Sequence, residues 1–125
     1  MVYKFRGWDV TGQKGWVYGD LVHTKGISKD AEKDLYNRIM IGGYEVDSDS
    51  IGIFTGLKDK NGREIYEGDV LSVWSFDEKC VIVYGEDVAA FRWLLSNGEI
   101  HSIRENEPTS SEIVGNIYEF SKEIL

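Results

Sequence analysis

Two tight turns and an apolar strand fall within the twenty residues from Phe54 to Val73, and this stretch constrains the fold most. The first turn is Asp59-Lys60-Asn61-Gly62. Asn and Asp tolerate the left-handed backbone region and Gly enters it without a Cβ clash, so this reversal predicts a β-hairpin. The second turn, Glu67-Gly68-Asp69, leads into an apolar run. A Gly between two strands allows the sharp corner at which small sheets curl into barrels.

Short β-prone runs recur along the chain about every ten residues, which is typical of an all-β barrel or sandwich rather than of βαβ units. These runs cover residues 3–8, 16–22, 38–41, 44–46, 51–54, 70–74, 80–84, 88–95, 99–103 and 112–118. Residues 24–37 break the pattern. Ser28 can cap a short helix through Ala31, Leu35 and Tyr36, although the acidic residues there also suit a polar loop, and we favour the helix.

The composition indicates one compact, acidic domain. The chain has 125 residues, 42% of them hydrophobic, and Asp+Glu 22 against Lys+Arg 14 give a net charge of −8. Binding of duplex nucleic acid requires several Lys or Arg that neutralise phosphates, so this balance argues against it, and it also argues against anionic lipid surfaces. The acidity mainly solvates the surface; the alternative is an acidic face that docks on a basic host protein.

Three features favour a cytoplasmic location. The sequence shows no secretory signal, and its apolar runs fall short of the ~18 residues that a membrane span needs. The single cysteine cannot form an internal disulfide, which fits a reducing compartment.

The chemically reactive residues do not form a recognisable catalytic, cofactor or metal site. Cys80 begins an apolar strand and reads as a buried structural residue. His23 and His101 are the only histidines, too few for a zinc site. Asp47-Ser48-Asp49-Ser50 loosely resembles a calcium loop but lacks its Gly and distal Glu, so a turn is expected. We therefore predict no cofactor and no bound metal.

The hairpin predicted around Asp59-Lys60-Asn61-Gly62, called the motif hairpin below, carries the one local concentration of basic residues. Lys58, Lys60 and Arg63 lie around the first turn, with Asp59 and Glu64 interleaved. The cluster is either a solvated turn or a contact point for a partner or a second copy. Trp is rarely fully buried, so at least one of the four tryptophans is expected at the surface, where Trp marks interfaces.

The motif residues resemble those of the YopX-like family, which is found mainly in bacteriophages and prophages. The resemblance rests on the runs at 54–62, 65–70 and 113–119, on the openings at 4–9 and 16–21, and on the lead-in at 43–47; the chain departs from the pattern between Thr24 and Arg38. It implies a small SH3-like β-barrel with additional strands, and it supplies no catalytic residues. The motif positions that we expect to be structural are Gly56, Asp59, Asn61, Gly62, Gly68, Asp69, Gly115 and Asn116.

The sequence is interpreted as a single domain over residues 1–125. Residues 1–53 would form N-terminal strands with a variable insertion, and residues 54–120 a barrel with the motif hairpin and a closing strand. The expected function is a non-enzymatic protein-interaction module of a phage or prophage, with an unknown protein partner or a second copy. The alternatives are a nucleic-acid-binding barrel, which a basic groove would favour, and an enzyme with a carboxylate-based site, which a deep acidic pocket would favour.

Overall fold

The computed structural model describes residues 3–27 and 35–124. The chain divides into two compact units, an N-terminal unit, Val2–Ile53, and a C-terminal unit, Phe54–Leu125. The described strands form three antiparallel sheets, so the expectation of a mainly β fold is confirmed. The interpretation of the whole chain as a single domain stays a prediction.

The N-terminal unit contains two sets of antiparallel strands. In the first set, β1 pairs with β2 on one side and with the start of β6 on the other, and in the second set β4 pairs with β3 and β5. The strands are β1 (Phe5–Trp8), β2 (Trp16–Gly19), β3 (Leu21–Ile27), β4 (Leu35–Ile41), β5 (Tyr44–Glu45) and β6 (Gly52–Lys58). The core of this unit consists of buried Val17, Ile41 and Val46, and Phe5, Leu21, Ile39 and Ile51 pack against it.

The short helix predicted after Thr24 is wrong where the structure describes it. Leu35 and Tyr36 belong to β4 and pair with Ile27 and Gly26 of β3, while Ser28 and Ala31 lie outside the described residues. The seven-residue ladder between β3 and β4 satisfies the backbone hydrogen bonds that a helix would otherwise make. Pairing between strands outweighed the local helix signals.

The C-terminal unit is a five-stranded antiparallel sheet with the motif hairpin at its start. The hairpin joins the end of β6 to β7, and the sheet has the order β11-β10-β9-β8-β12. The elements are β7 (Glu64–Tyr66), β8 (Asp69–Ser72), β9 (Cys80–Gly85), β10 (Ala90–Leu95), β11 (Ile100–Ser102), β12 (Glu112–Asn116) and α1 (Ile117–Ile124). Strands β11 and β12 are edges of this sheet, and among the described residues no closed barrel is found, so the SH3-like barrel is not confirmed.

One face of the five-stranded sheet carries the core of the C-terminal unit. Trp93 is fully buried at its centre, and Cys80 and Ile82 lie beside it on the neighbouring strand. The other buried members are Ile65, Leu71, Val73, Leu95 and Ile113. Trp74 is 69% exposed, which confirms that a tryptophan reaches the surface.

Candidate interaction surface

The tip of the motif hairpin is built around the carboxylate of Asp59. Its Oδ1 accepts hydrogen bonds from the backbone N–H groups of Asn61 and Arg63, both at 2.9 Å. The N–H of Gly62 donates to the carbonyl of Asp59 at 3.0 Å, and Gly62 has a φ of +78°. A left-handed residue at this position is what the Asn-Gly pair predicted, and the hairpin is confirmed.

The same tip is fastened to the edge strand β12 and the residue before it. The second carboxylate oxygen of Asp59 accepts the N–H of Ile113 at 3.1 Å, and the N–H of Lys60 donates to the carbonyl of Ser111 at 2.9 Å. The Nζ of Lys60 lies 3.3 Å from Oε2 of Glu112. Asp59 itself is only 4% exposed. The tip is therefore fixed by hydrogen bonds within the turn and by contacts with residues 111–113, and it is not a free loop.

These contacts keep the Asp59 carboxyl ionised. Burial raises its pKa, but the N–H donors of Ile113, Arg63 and Asn61 and the charge of Arg63 lower the pKa more, and the result lies below the ordinary value. Hydrogen bonds from N–H groups favour the charged form of a carboxylate. A buried anion thus organises the turn from which the cations project.

The structure brings the three predicted basic residues together on this tip. Lys58, Lys60 and Arg63 are all exposed. Lys58 lies opposite Glu64 in the register of β6 and β7. The ordered backbone of the turn places the three basic side chains near one another, and of the three Lys60 is paired with Glu112.

The remaining motif residues are structural, and they connect the second turn to α1. Asp69 is buried and its Oδ2 accepts the N–H of Tyr66 at 2.8 Å, while Gly68, with a φ of +93°, accepts a hydrogen bond from the N–H of Ile117. Asn116 pairs with Asp69, and its Oδ1 accepts the N–H of Glu119 at 2.9 Å. This cap explains why β12 ends at Asn116 and a helix follows it.

Two motif glycines lie at irregularities of the strands. Gly56 has a φ of +84° within the register shift between β6 and β7. Gly115 follows the bulge in β12, and a Cβ there would lie 2.5 Å from the ring of Phe120 in α1. Only a residue without a side chain lets this ring approach the strand.

Sequence reasoning missed a groove in the N-terminal unit. An open groove of about 670 Å³ lies between the loop after β1 and the turn before β5. Glycines flank both walls, and paired Gly-rich turns were the signal that could have pointed to it. The lining residues are Asp9, Val10, Thr11, Gln13, Lys14, Gly43, Tyr44 and Glu45.

Three charged side chains line this groove: the carboxylates of Asp9 and Glu45 and the ammonium of Lys14. Asp9 accepts the hydroxyl of Thr11 at 2.6 Å and the N–H of Lys14 at 3.2 Å; the Thr11 hydroxyl is the main cause of its lowered pKa. The Nζ of Lys14 lies 5.8 Å from the ring centroid of Tyr44. Glu45 is half-buried, and within residues 3–27 and 35–124 its carboxylate makes no hydrogen bond or ion pair.

A buried glutamate in the C-terminal unit was also missed. Glu107 is 2% exposed, and its Oε1 accepts the indole N–H of Trp93 at 3.2 Å and the N–H of Arg104 at 2.7 Å. Burial raises the pKa of Glu107, whereas the nearby Ser75 hydroxyl, the N–H groups of Arg104 and Trp93 and the charge of Arg104 lower it below its ordinary value. An acid within a polar run gives no sign in the sequence that it is buried.

The residues that the sequence analysis considered as candidates for catalysis or metal binding do not form a reactive site among the described residues. Cys80 is fully buried, and burial together with the charges of Glu107 and Glu78 raises the pKa of its thiol to about 11, so the reactive thiolate is scarce. Residues 48–50 form a short 3₁₀ turn that Asp47 caps. Among the described residues, no group of three or more His, Cys, Asp or Glu side chains is placed to hold a metal ion. No helix among them is long and apolar enough to cross a membrane.

Comparisons with known proteins agree with these features. A crystal structure of protein EF1440 from Enterococcus faecalis matches 100% of this chain and 99% of its own length, with a TM-score of 0.56 and 22% sequence identity, which shows the fold alone. No curated protein matches the sequence. The family model described as YopX protein matches residues 4–124, nearly the whole chain. The chain therefore belongs to the YopX family.

Proposed function

We propose that this chain is a non-enzymatic protein-interaction module, an accessory protein of a phage or prophage that acts in the cytoplasm of the bacterial host. Its recognition element is the basic tip of the motif hairpin, with Lys58, Lys60 and Arg63 as the contacting side chains. The partner surface that fits it carries exposed carboxylates. The phage context rests on the resemblance of the motif to the family.

One observation carries the proposal: a buried carboxylate fixes the tip before any partner binds. Asp59 accepts hydrogen bonds from Asn61, Arg63 and Ile113, so the basic residues project from an ordered turn. A preorganised loop loses less conformational entropy on binding than a mobile one, and more of its contact energy appears as affinity. Lys58 and Arg63 are exposed and form no ion pair with a described residue, so their charged groups can meet carboxylates of a partner.

Further surface is available on the same unit. The edge strand β11 has one side without a neighbouring strand in the described sheet, and edges of this kind can pair with a partner, whereas the outer side of β12 is already in contact with the hairpin tip. The exposed Trp74 adds a side chain of the type that dominates binding energy at interfaces.

The nucleic-acid alternative required a basic groove. The groove in the N-terminal unit contains Asp9 and Glu45 with Lys14, and the basic tip has Glu64 and Glu112 beside it. The enzyme alternative required acids with shifted pKa values in a deep pocket. Asp9 lines an open groove, and its carboxylate is already engaged by the loop that it organises. These observations favour the interaction module.

Affinity capture from host-cell lysate, with mass spectrometry of the retained proteins, tests the proposal. The chain is compared with a tip variant, Lys58→Gln with Arg63→Gln, which leaves the Lys60–Glu112 pair intact. A matched control, Lys25→Gln with Lys79→Gln, removes two exposed charges elsewhere. We expect a partner that the control retains and the tip variant loses. Identical retention by the tip variant would remove the tip from the proposal.

A further inference from the structure

We infer that the groove of the N-terminal unit receives the basic hairpin tip of a second copy of this chain, so that copies associate head to tail. The inference rests on the proposed function of the tip and identifies the surface to which the tip binds. The two surfaces are built from different units, and each has charged side chains without an ion pair among the described residues: Glu45 at the groove, and Lys58 and Arg63 at the tip.

The groove has the chemistry that a Lys or Arg side chain requires. Glu45 lines the groove, is half-buried as a residue, and its carboxylate has no hydrogen bond or ion pair among the described residues; the charge of Asp9, whose oxygens are engaged by its own loop, lies in the same groove. Val10 is 52% exposed and Tyr44 37%, so both present apolar surface at the groove. Long basic side chains lay their methylene stems on such surface while the charged head meets a carboxylate.

The groove already holds one cation of this chain against an aromatic ring. The ammonium of Lys14 lies over the ring of Tyr44, at 5.8 Å from the ring centroid. An aromatic face attracts cations through its quadrupole. The volume of about 670 Å³ is within the range of sites that take small ligands or several side chains.

The tip supplies the complementary side chains in a form that can enter. Lys58 and Arg63 are exposed, and neither makes an ion pair with a described residue, whereas Lys60 is paired with Glu112. Arg63 is the better match for Glu45, because its planar guanidinium can donate two parallel hydrogen bonds to one carboxylate. The turn below it is fixed by Asp59, so docking orders little more than these side chains.

Such an interface is heterologous, and that property makes it testable. Each copy has one groove and one tip, so association continues into an open chain or closes into a ring. Two variants that each lack one half of the interface should fail alone and recover one working contact when mixed. An interface in which tip met tip or groove met groove would not recover in this way.

The experiment is sedimentation of the purified full chain at about 0.15 M salt, up to a concentration of about 1 mM. At this ionic strength the Debye length is about 8 Å, so repulsion between the two acidic molecules is screened more strongly than the close contacts. Wild type, the groove variant Glu45→Lys and the tip variant Lys58→Gln with Arg63→Gln are compared. Glu86→Lys, at an exposed turn, makes the same charge change outside the groove.

We expect the wild type and Glu86→Lys to associate, and the groove and tip variants each to weaken association about tenfold or more. An equal mixture of the groove and tip variants should form dimers and stop there. A wild type that stays monomeric, a mixture that stays monomeric, or a loss with Glu86→Lys equal to that with Glu45→Lys would each overturn the inference. A monomeric wild type whose lysate capture still depends on the tip would leave the proposed function standing.

Discussion

Two buried carboxylates of the C-terminal unit, Asp59 and Glu107, each bring separate parts of the chain together. Asp59 accepts the backbone N–H groups of Asn61, Arg63 and Ile113, and Glu107 accepts the backbone N–H of Arg104 and the indole N–H of Trp93. The N–H groups of Ile113 and Trp93 would otherwise be buried without these partners, so removal of either acid should cost stability. The same donors favour the ionised form of both.

Replacing Asp59 with Asn should destabilise the chain by about 1 to 3 kcal/mol. Both carboxylate oxygens of Asp59 accept backbone N–H groups, and the amide of Asn must turn an N–H₂ group toward one of those donors. Urea unfolding measures the change. Asp77→Asn, at an exposed position, is the control and should change little. Equal stability of the two variants would mean that Asp59 does not hold the turn.

Stability should fall in acid partly because of Glu107. Its pKa in the folded chain is below the ordinary value of 4.5, so near and below this pH the unfolded chain binds more protons. The stabilisation is therefore complete above that value and is lost as the pH falls through the folded pKa. Asp59 acts in the same direction relative to 3.8.

The check is the melting temperature of wild type, Glu107→Gln and the exposed control Glu105→Gln from about pH 6 to about pH 3. Glutamine does not titrate, so the decline should be smaller for Glu107→Gln than for the other two proteins. Three parallel declines would show that Glu107 does not carry this part of the acid sensitivity.

At the scale of elements, the sequence predicted what local chemistry decides. The motif hairpin, the Gly68 corner and most strands follow from turn residues and alternation, and the structure has them. The helix expected at Leu35 and Tyr36 is a strand. These residues pair with β3, and this pairing could not be predicted from the residues next to them in the sequence. Helix α1 was likewise missed, since its cap, Asn116, lies within the run 112–118 that we interpreted as one strand.

Substitution of Gly62 by Val should cost about 1 to 2 kcal/mol, more than an ordinary surface change. The φ of this residue is +78°, and a Cβ would meet nothing within 4 Å, so the cost is that of the backbone alone. Gly62→Asn is the matched variant, because Asn visits the left-handed region more readily and should lose less. Thermal melting of both decides the matter. An unchanged midpoint for Val would mean that Gly62 does not need this conformation.

At the scale of the whole molecule, the candidate site divides into a part that the sequence predicts and a part that it does not. Lys58, Lys60 and Arg63 lie within one turn, so their meeting at the hairpin tip could be predicted from their order. The groove brings a loop after β1 together with a turn before β5, which only the folded N-terminal unit places side by side. The net charge of −8 follows from the sequence alone, and it argues against duplex nucleic acid and anionic lipid surfaces as partners.

The chain should neither bind duplex DNA appreciably nor need a metal ion. DNA binders offset the dense phosphate charge with several Lys or Arg at once, whereas here the three clustered bases lie beside Glu64 and Glu112 in a strongly acidic chain. The metal expectation rests on two histidines and one cysteine, and that cysteine is buried with a pKa of about 11. A mobility shift at about 50 mM salt, where electrostatic binding is strong, tests the expectation on DNA, and melting with and without chelator tests the expectation on metal.

Retention of DNA at sub-micromolar concentration would show that the tip acts despite the net charge, and it would move the nucleic-acid alternative ahead of the protein partner. A melting temperature that chelator lowers would show that oxygen ligands hold a cation without help from sulfur or imidazole.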